Sequence, residues 1–316
     1  MEMRHLRYFI AVAEEEHVTR AAERLGMQQP PLSRQIKAIE QELDVQLFRR
    51  KARGVELTSA GRAFLHNARE MLARLDHTFE TTRRTARGEQ GRISVGVTPT
   101  GPFHPFVPRV IRAYREAFPL VSVTLEECLS LQLIEHLRNE QIDAAFLRTP
   151  VAGPDDLVIN PLLDEPMVAA LPSMHGLAQS GGSRDAAISM KAFAGETFIV
   201  YGRPQGPGQQ GLGQYEAMIA ACHTAGFSPR VGQDAPTIIS TLGLVAAGLG
   251  ISLVPASLQH MNMDGVTYRR LKGTNLPKAI LNLASRRGNV SAVVRHFLNL
   301  VKREARTAKK GPPTRT

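Results

Sequence analysis

The chain has 316 residues, of which 43% are hydrophobic and 22% are charged. This length allows two or three domains, and this composition excludes a largely disordered protein. The sequence has no apolar run long enough for a transmembrane helix, and its N-terminus lacks the small-residue cleavage site of a signal peptide. We therefore expect a cytoplasmic protein that does not bind membranes.

The net charge of +10 is concentrated near the C-terminus. Residues 269–316 carry +12, so the other 268 residues carry −2. A basic protein can bind nucleic acid, yet this excess lies far from the segment that we assign to DNA below. We expect residues 307–316 to form a basic, disordered tail.

The sequence shows no pattern of an enzyme or a metal site. Cys128 and Cys222 lie 94 residues apart, which fits neither a disulfide framework nor a zinc site. GxSxG, P-loop and HExxH motifs are also missing from the sequence. We therefore expect a protein without a metal or a cofactor that is not an enzyme.

The first 58 residues predict short helices followed by a hairpin. Helices are predicted over 18–25 and 29–43 from their apolar periodicity. Gly26 lies between them and can supply the positive φ that ends the earlier helix. A helix with small residues, a short turn and a second amphipathic helix are typical of a helix-turn-helix.

The helix over 29–43 has a polar face opposite its apolar stripe. Gln and Arg side chains can make bidentate contacts to base edges, while Ser and Lys reach bases or phosphates. Pro30 and Pro31 are tolerated in the first turn, and a helix N-terminus favours phosphate. The alternative is an ordinary solvated helix face. The polar residues in question are Gln29, Ser33, Arg34 and Lys37.

Four basic residues separate two short predicted strands, 45–48 and 55–57. A basic hairpin beside a helix-turn-helix is a wing that contacts phosphates or the minor groove. In another context the same residues would form a solvated loop. The basic residues are Arg49, Arg50, Lys51 and Arg53.

A long helix is predicted over 59–87, with Thr58 as its N-cap and residues 88–91 as a hinge after it. Its apolar residues follow the seam spacing of a two-stranded coiled coil. An open seam predicts a dimer, which also suits a helix-turn-helix protein because two half-sites raise DNA affinity. The seam residues are Phe64, Ala68, Met71, Leu75 and Phe79.

Residues 92–306 alternate short strands with helices, as in an open, largely parallel sheet. Three successive predicted strands end near Thr100, Ser130 and Arg148. Ligands in such sheets bind beyond the carboxyl ends of the strands. Hydroxyls and helix N-termini favour an anion, and an arginine can hold a carboxylate. Helix caps and a surface ion pair are the alternatives.

Tyr201 ends a further predicted strand and is also a candidate effector contact. The glycine-rich residues 202–213 that follow it are either a loop that covers ligand or a variable connection. Cys128 precedes Ser130 by two residues and faces either the cleft or the core.

The chain resembles the LysR-type transcriptional regulators over its whole length. Residues 243–257 are also similar to members that control the catabolism of aromatic compounds. His17 and Asp44 depart from the family pattern, which usually has Ser or Thr at the first position and Gly at the second. The fragments that carry the resemblance most specifically are QPPLSRQI, LFRR and LTSAG.

The resemblance implies a winged helix-turn-helix, a linker helix and an α/β effector domain like the type II periplasmic binding proteins. The first effector subdomain would contain 92–163 and 268–306, and the second 164–267. The family's DNA contacts would fall on Gln29, Pro30, Ser33, Arg34, Arg50 and Arg53, and its inducer contacts on Thr100 and Ser130.

The resemblance also implies a homotetramer, a dimer of dimers, that binds double-stranded promoter DNA. Its effector would be a small organic anion, such as a carboxylate or an aromatic-derived compound, and RNA polymerase would be a further partner. Two other functions stay open: a regulator that senses redox state through thiols, and an exported solute-binding protein.

Overall fold

The computed structural model divides the chain into two compact units, Met1–Arg84 and Thr85–Thr316. None of the helices described is long and apolar enough to span a membrane. The structure describes residues 1–148, 156–179, 186–203, 214–288 and 290–309.

The first unit contains three short helices, a two-stranded hairpin and most of a long helix. This order is that of a winged helix-turn-helix followed by a linker helix. Its core buries Phe9, Leu32 and Ile39 completely or almost completely. The elements are α1 (Met3–Glu15), α2 (Val18–Arg24), α3 (Gln29–Leu43), β1 (Phe48–Lys51), β2 (Gly54–Leu57) and α4 (Ser59–Arg87).

Local side-chain and backbone geometry sets the helix ends in this unit. Gly26 has a φ of +64° after α2, and the Thr58 hydroxyl accepts a hydrogen bond from the Gly61 amide at 2.9 Å, so both predictions are confirmed. His17 caps α2 through its ring nitrogen Nδ1, which accepts from the Thr19 amide at 3.3 Å. Asp44 ends α3 with a φ of +50°. Both departures from the family pattern are thus accommodated.

The apolar seam of α4 has two parts. Phe64 packs on the bundle, with its ring centroid 4.8 Å from that of Phe9, and Ala68 is buried. Met71 and Phe79 are 48% and 52% exposed. The first part of the seam therefore belongs to the core of the first unit, and Met71 and Phe79 of the second part are not covered by any of the residues described.

The second unit is an α/β structure built on a long mixed sheet. Its elements are β3 (Gln90–Val97), α5 (Phe106–Ala117), β4 (Leu120–Glu127), α6 (Ser130–Arg138), β5 (Ala144–Arg148), β6 (Leu157–Pro172), α7 (Gly176–Gln179), β7 (Ile188–Ser189), β8 (Thr197–Tyr201), α8 (Gln214–Thr224), β9 (Arg230–Ala235), α9 (Ile238–Ala246), β10 (Ser252–Pro255), β11 (Val266–Lys272), β12 (Lys278–Arg286) and α10 (Ala292–Lys309).

The strand order in the long sheet is β4-β3-β5-β12-β6-β11-β7, and β10 also pairs with β6. β3 runs parallel to β4 and β5, whereas β12 pairs antiparallel with β5 and β6. β8 and β9 form a separate parallel pair. The parallel strands β3, β4 and β5 therefore end at one common edge.

Strand β6 joins two subdomains, each with its own core. Its first part pairs with β12 up to Pro166, and its second part pairs with β10 and β11 from Met167 onward. One core lies around Tyr114 and Phe297, and the other around Phe198 and Phe193. A single long strand thus passes from one core to the other.

The chain returns to the first subdomain later than residue 268, so that predicted boundary was wrong. β11 pairs with the second part of β6 and with β7, and Leu271 and Ala279 belong to the second core. Leu281 belongs to the first core, which places the return within β12. The apolar pattern of a strand does not show which of two cores its side chains enter.

The predicted tail also begins later than expected. α10 continues to Lys309, so residues 307–309 are helical. Basic residues such as Arg306 and Lys309 interact favourably with the C-terminal end of a helix. Residues 310–316, and 204–213 of the predicted glycine-rich loop, lie outside the described residues.

A close backbone approach follows the linker helix. Gly88 has a φ of +71°, and a Cβ there would lie 2.6 Å from the Ala292 carbonyl carbon at the start of α10. Only glycine fits this position without a backbone shift. The predicted hinge region is therefore packed tightly against α10.

Candidate DNA interface and effector cleft

Helix α3 presents the polar face that the periodicity predicts. Gln29, Pro30, Arg34 and Lys37 are exposed, and Ser33 is half-buried. The Gln29 amide Nε2 donates a hydrogen bond to the Ser33 hydroxyl at 2.8 Å. This contact joins side chains one turn apart and holds both on the same face of the helix.

The N-terminus of α3 offers fewer amides to a phosphate than the sequence suggested. Gln29 is its first residue, and Gln28 supplies no side-chain cap. Pro30 and Pro31 follow, and proline has no backbone N–H. Two of the first three donors are therefore missing, and side chains must carry most of any contact with DNA here.

The hairpin separates its basic residues into two sets. Arg49 and Lys51 both form ion pairs with Glu56 across the strands. Alternate strand residues point to the same side of a hairpin, so Glu56 offsets one of the two positive charges on that side. Arg50 and Arg53 are exposed, and their side chains make no hydrogen bond or ion pair with any residue described.

Four cations of α3 and the hairpin are thus without a partner among the residues described. Arg34 and Lys37 on α3 share this state with Arg50 and Arg53. By contrast, Arg24 and Arg69 of the same unit pair with Glu14 at 2.9 and 2.6 Å. Unpaired, exposed cations are the groups that can neutralise a polyanion without first breaking an ion pair.

In the second unit, the structure brings together three of the predicted effector residues. The Arg148 guanidinium donates through Nη2 to the Thr100 carbonyl at 3.4 Å, and the Arg148 amide donates to the Ser130 hydroxyl at 3.4 Å. All three residues are at most 6% exposed. They lie at the common edge where β3, β4 and β5 end.

The sequence predicted that Arg148 holds a ligand carboxylate. In the structure, groups of the protein itself hold its guanidinium. Its Nη1 lies 2.6 Å from Glu165 Oε2 and donates to the Ala279 carbonyl at 3.1 Å. Glu165 Oε1 accepts from the Ser257 amide at 2.6 Å. Burial lowers the pKa of Arg148, and the Glu165 carboxylate opposes this shift. The buried pair joins β5 to both strands that cross between the subdomains.

Four buried hydroxyls have no hydrogen-bond partner among the described residues. Buried polar groups normally have a hydrogen-bond partner. Each of these hydroxyls therefore has unused capacity to form a hydrogen bond with an added group. Tyr201 and Tyr268 pack with Phe103 against the same core. Burial raises the pKa of Tyr201 and of Tyr268, which keeps both as neutral donors. The four hydroxyls belong to Thr98, Tyr201, Ser257 and Tyr268.

The sequence predicted only Tyr201 among these four. Thr98 follows β3 and Ser257 follows β10 within two residues, so the strand-end rule that selected Thr100 could also have found them. Tyr268 and Glu165 lie inside strands, and no local pattern marks them.

His104 lies beside the buried ion pair, with Nε2 at 4.0 Å from Glu165 Oε2. Burial lowers the pKa of His104; Glu165 opposes this shift, and Arg148 and Arg109 add to it. The neutral imidazole is therefore favoured at this position.

The surroundings of both cysteines disfavour the thiolate. Burial raises the pKa of Cys128, and the Glu126 and Glu127 carboxylates shift it in the same direction. Burial raises the pKa of Cys222 to about 11. Since the thiolate is the reactive form, these environments argue against the thiol-based alternative.

Comparison with known families agrees with this architecture. Residues 3–62 match the family model "Bacterial regulatory helix-turn-helix protein, lysR family". Residues 86–306 match the model "LysR substrate binding domain". The first range covers α1 to β2 and the start of α4, and the second covers nearly all of the α/β unit.

Similar proteins match over almost the whole chain. The HTH-type transcriptional regulator AlsR of Bacillus subtilis (strain 168) is 38% identical over 301 residues, which is 95% of each chain. CatR of Pseudomonas putida is 36% identical and covers 96% of this chain and 100% of its own. Crystalline full-length CbnR in complex with its target DNA is 29% identical with a TM-score of 0.82, over 96% of this chain and 100% of that one.

These matches define a DNA-binding regulator with a substrate-binding domain. The chain belongs to the LysR family of transcriptional regulators, and the resemblance seen in the sequence is confirmed. Its fold is a winged helix-turn-helix, a linker helix and a two-subdomain α/β domain.

Proposed function

We propose that this regulator recognises a specific promoter sequence by placing α3 in the major groove and the hairpin on flanking phosphates. The observation that carries the proposal is the set of exposed, unpaired cations Arg34, Lys37, Arg50 and Arg53. On α3, Gln29, Pro30, Ser33 and Arg34 are the groove residues. The similar protein CbnR forms a crystalline complex with its target DNA, which supports the proposal.

Selection from a random pool of DNA duplexes tests this function without a known operator. The full-length protein should enrich one sequence with two related half-sites, because two copies of α3 then read one duplex. Failure to enrich any sequence would contradict sequence-specific binding. A solute-binding protein would give that negative result.

We further propose that the cleft in the α/β unit binds a small organic anion, either a carboxylate or an aromatic-derived compound. Thr100, Ser130 and Tyr201 are the predicted contacts, and the open hydroxyls of Thr98, Ser257 and Tyr268 add donors. Arg148 is assigned a positioning role, since Glu165 and backbone carbonyls already hold it.

The buried ion pair of Arg148 and Glu165 suggests how an effector acts on the domain. Glu165 lies on β6 and Ala279 on β12, and both strands connect the two subdomains. An anion that competes with Glu165 for nearby donors would favour one arrangement of the subdomains over another. The effector then shifts a population of conformations and with it the DNA affinity.

Thr100→Val tests the cleft with benzoate as the probe. Wild-type protein should gain thermal stability with benzoate and change its affinity for the selected duplex. Thr100→Val should blunt both responses while leaving DNA affinity without benzoate unchanged. Thr124→Val is the matched control because Thr124 lies on β4 and its hydroxyl donates to the Ile93 carbonyl. Equal responses in wild type and Thr100→Val would remove Thr100 from the site.

We also propose a homotetramer, with RNA polymerase as a further partner on the promoter. Two separate apolar surfaces support self-association. Met71 and Phe79 are exposed on α4, and a groove of about 980 Å³ between α5 and β4 is lined by Val107, Ile111 and Leu125. Sedimentation equilibrium should show four chains. Met71→Glu with Phe79→Glu should lower that number, and an unchanged tetramer would exclude the α4 surface.

A further inference from the structure

Three side chains with different metal-ligating atoms converge at the end of edge strand β4. They are Glu126, Cys128 and His136, and their ligand atoms all lie within 4.8 Å of one another. His136 Nδ1 is 2.5 Å from Glu126 Oε1, and the Cys128 thiol donates to the same oxygen at 3.8 Å. All three residues are partly buried.

The backbone places these residues together. Glu126 is the penultimate residue of β4, and Cys128 follows two residues later; residues two apart in extended chain point to the same side. The Cys128 amide donates to the Val97 carbonyl, which keeps the chain beside β3. Helix α6 begins at Ser130 and carries His136 back over the strand end.

One distance in this cluster already fits a tetrahedral metal site, and a second would have to open. Bonds of about 2.3 Å to sulfur and about 2.0–2.2 Å to nitrogen and oxygen place tetrahedral ligands roughly 3.3–3.7 Å apart. The sulfur–oxygen distance of 3.8 Å is near this range. The nitrogen–oxygen distance of 2.5 Å is shorter than two ligands of one metal allow, so it would open by about 1 Å when a metal binds.

The ligand set selects a borderline transition metal. A thiolate with an imidazole suits zinc, whereas calcium and magnesium prefer oxygen alone. We propose that Glu126, Cys128 and His136 bind one Zn²⁺ per chain, with a water in the fourth position. The Cys128 thiol and any proton on His136 Nδ1 are released to solvent as the metal binds.

The site lies next to the proposed effector cleft but does not depend on it. Cys128 precedes Ser130 by two residues, so a bound metal would stiffen the strand end from which α6 and Ser130 start. Zinc would then be a second ligand of the α/β unit. Metal binding can therefore be tested, and disproved, independently of any organic effector.

Titration of the untagged full-length protein with Co²⁺ tests the site directly. Cobalt bound by a thiolate gives a sulfur-to-metal charge-transfer band, and tetrahedral geometry gives intense ligand-field bands. Wild-type protein should bind one Co²⁺ per chain with both features, and one equivalent of Zn²⁺ should displace it. Cys128→Ser should remove the charge-transfer band and weaken binding by about 100-fold or more, beyond the roughly 10–100-fold typical of outer-shell changes.

Cys222 provides the matched control, since it is a free cysteine buried in the second core. Cys222→Ala should keep the band and the affinity, while His136→Gln should weaken binding without removing the thiolate band. Circular dichroism checks that each variant is folded. A wild-type protein without the band, or a band that survives in Cys128→Ser, would overturn the proposal.

Discussion

The candidate sites of the two units use arginine in opposite ways. In the DNA-binding unit, Arg34 and Arg50 are exposed and have no partner among the described residues. In the α/β unit, Arg148 and Arg269 are only 3% and 2% exposed, and both donate to backbone carbonyls. An exposed cation is available for a polyanion, whereas a buried one holds strands together. Burial and partners therefore decide what an arginine does.

The largest expected effect comes from breaking the buried pair. Arg148→Ala leaves Glu165 buried at 5% exposure with its charge uncompensated. Removal of one partner of a buried ion pair costs about 3–5 kcal/mol, so we expect a loss of that size in the free energy of unfolding, measured by urea denaturation. The double variant Arg148→Met with Glu165→Gln should recover part of the loss. An Arg148→Ala protein as stable as wild type would contradict the positioning role.

Arg34→Ala should produce the next largest effect, on DNA specificity. Loss of a bidentate base contact costs about 1–3 kcal/mol of discrimination. Affinity for the selected duplex should fall accordingly, while affinity for random DNA changes much less. Fluorescence anisotropy with both duplexes measures this difference. If Arg34→Ala leaves the affinity ratio intact, α3 is not the reading helix.

Arg50→Ala should change the salt dependence of binding more than its sequence dependence. Each neutralised phosphate contributes about 0.9 to the slope of log affinity against log salt. We expect the slope to fall by roughly that amount per contact. Arg49→Ala is the control, because Arg49 is paired with Glu56. This variant should change the slope of log affinity against log salt less than Arg50→Ala does. Equal changes in the two variants would remove the distinction between paired and unpaired cations in the hairpin.

The smallest expected effect is a pH dependence of stability. The pKa of His104 is lowered by burial, so below the unfolded pKa of about 6.5 the unfolded state binds the proton more readily. Stability should therefore fall as the pH drops below that value. His104→Gln should flatten this part of the curve of stability against pH. A curve that does not change would exclude His104 as its source.

The sequence predicted the DNA-binding unit well because its signals are local. Helical periodicity predicted α3 over the residues that it occupies, and the Thr58 cap and the positive φ of Gly26 depend on neighbouring residues. Exposure of Arg34 follows from its position opposite the apolar stripe. Each of these properties depends on fewer than about four turns of chain.

The α/β unit was predicted less completely because its site depends on distant contacts. The strand-end rule selected Thr100 and Ser130, which both contact Arg148, but Glu165 and Ala279 reach Arg148 only through the pairing of β6 with β12. No spacing rule connects them. The convergence of Glu126, Cys128 and His136 was missed for a related reason: α6 folds back over β4, and zinc spacing rules consider cysteine and histidine alone.

Photocrosslinking tests the central claim most directly. Benzoylphenylalanine would replace Lys37 on α3, and in a control protein it would replace Arg74, an exposed residue of α4. On the selected duplex, we expect crosslinks from position 37 to bases within the half-sites and none from position 74. Absence of crosslinks from position 37, or equal crosslinking from both positions, would contradict the placement of α3 in the groove.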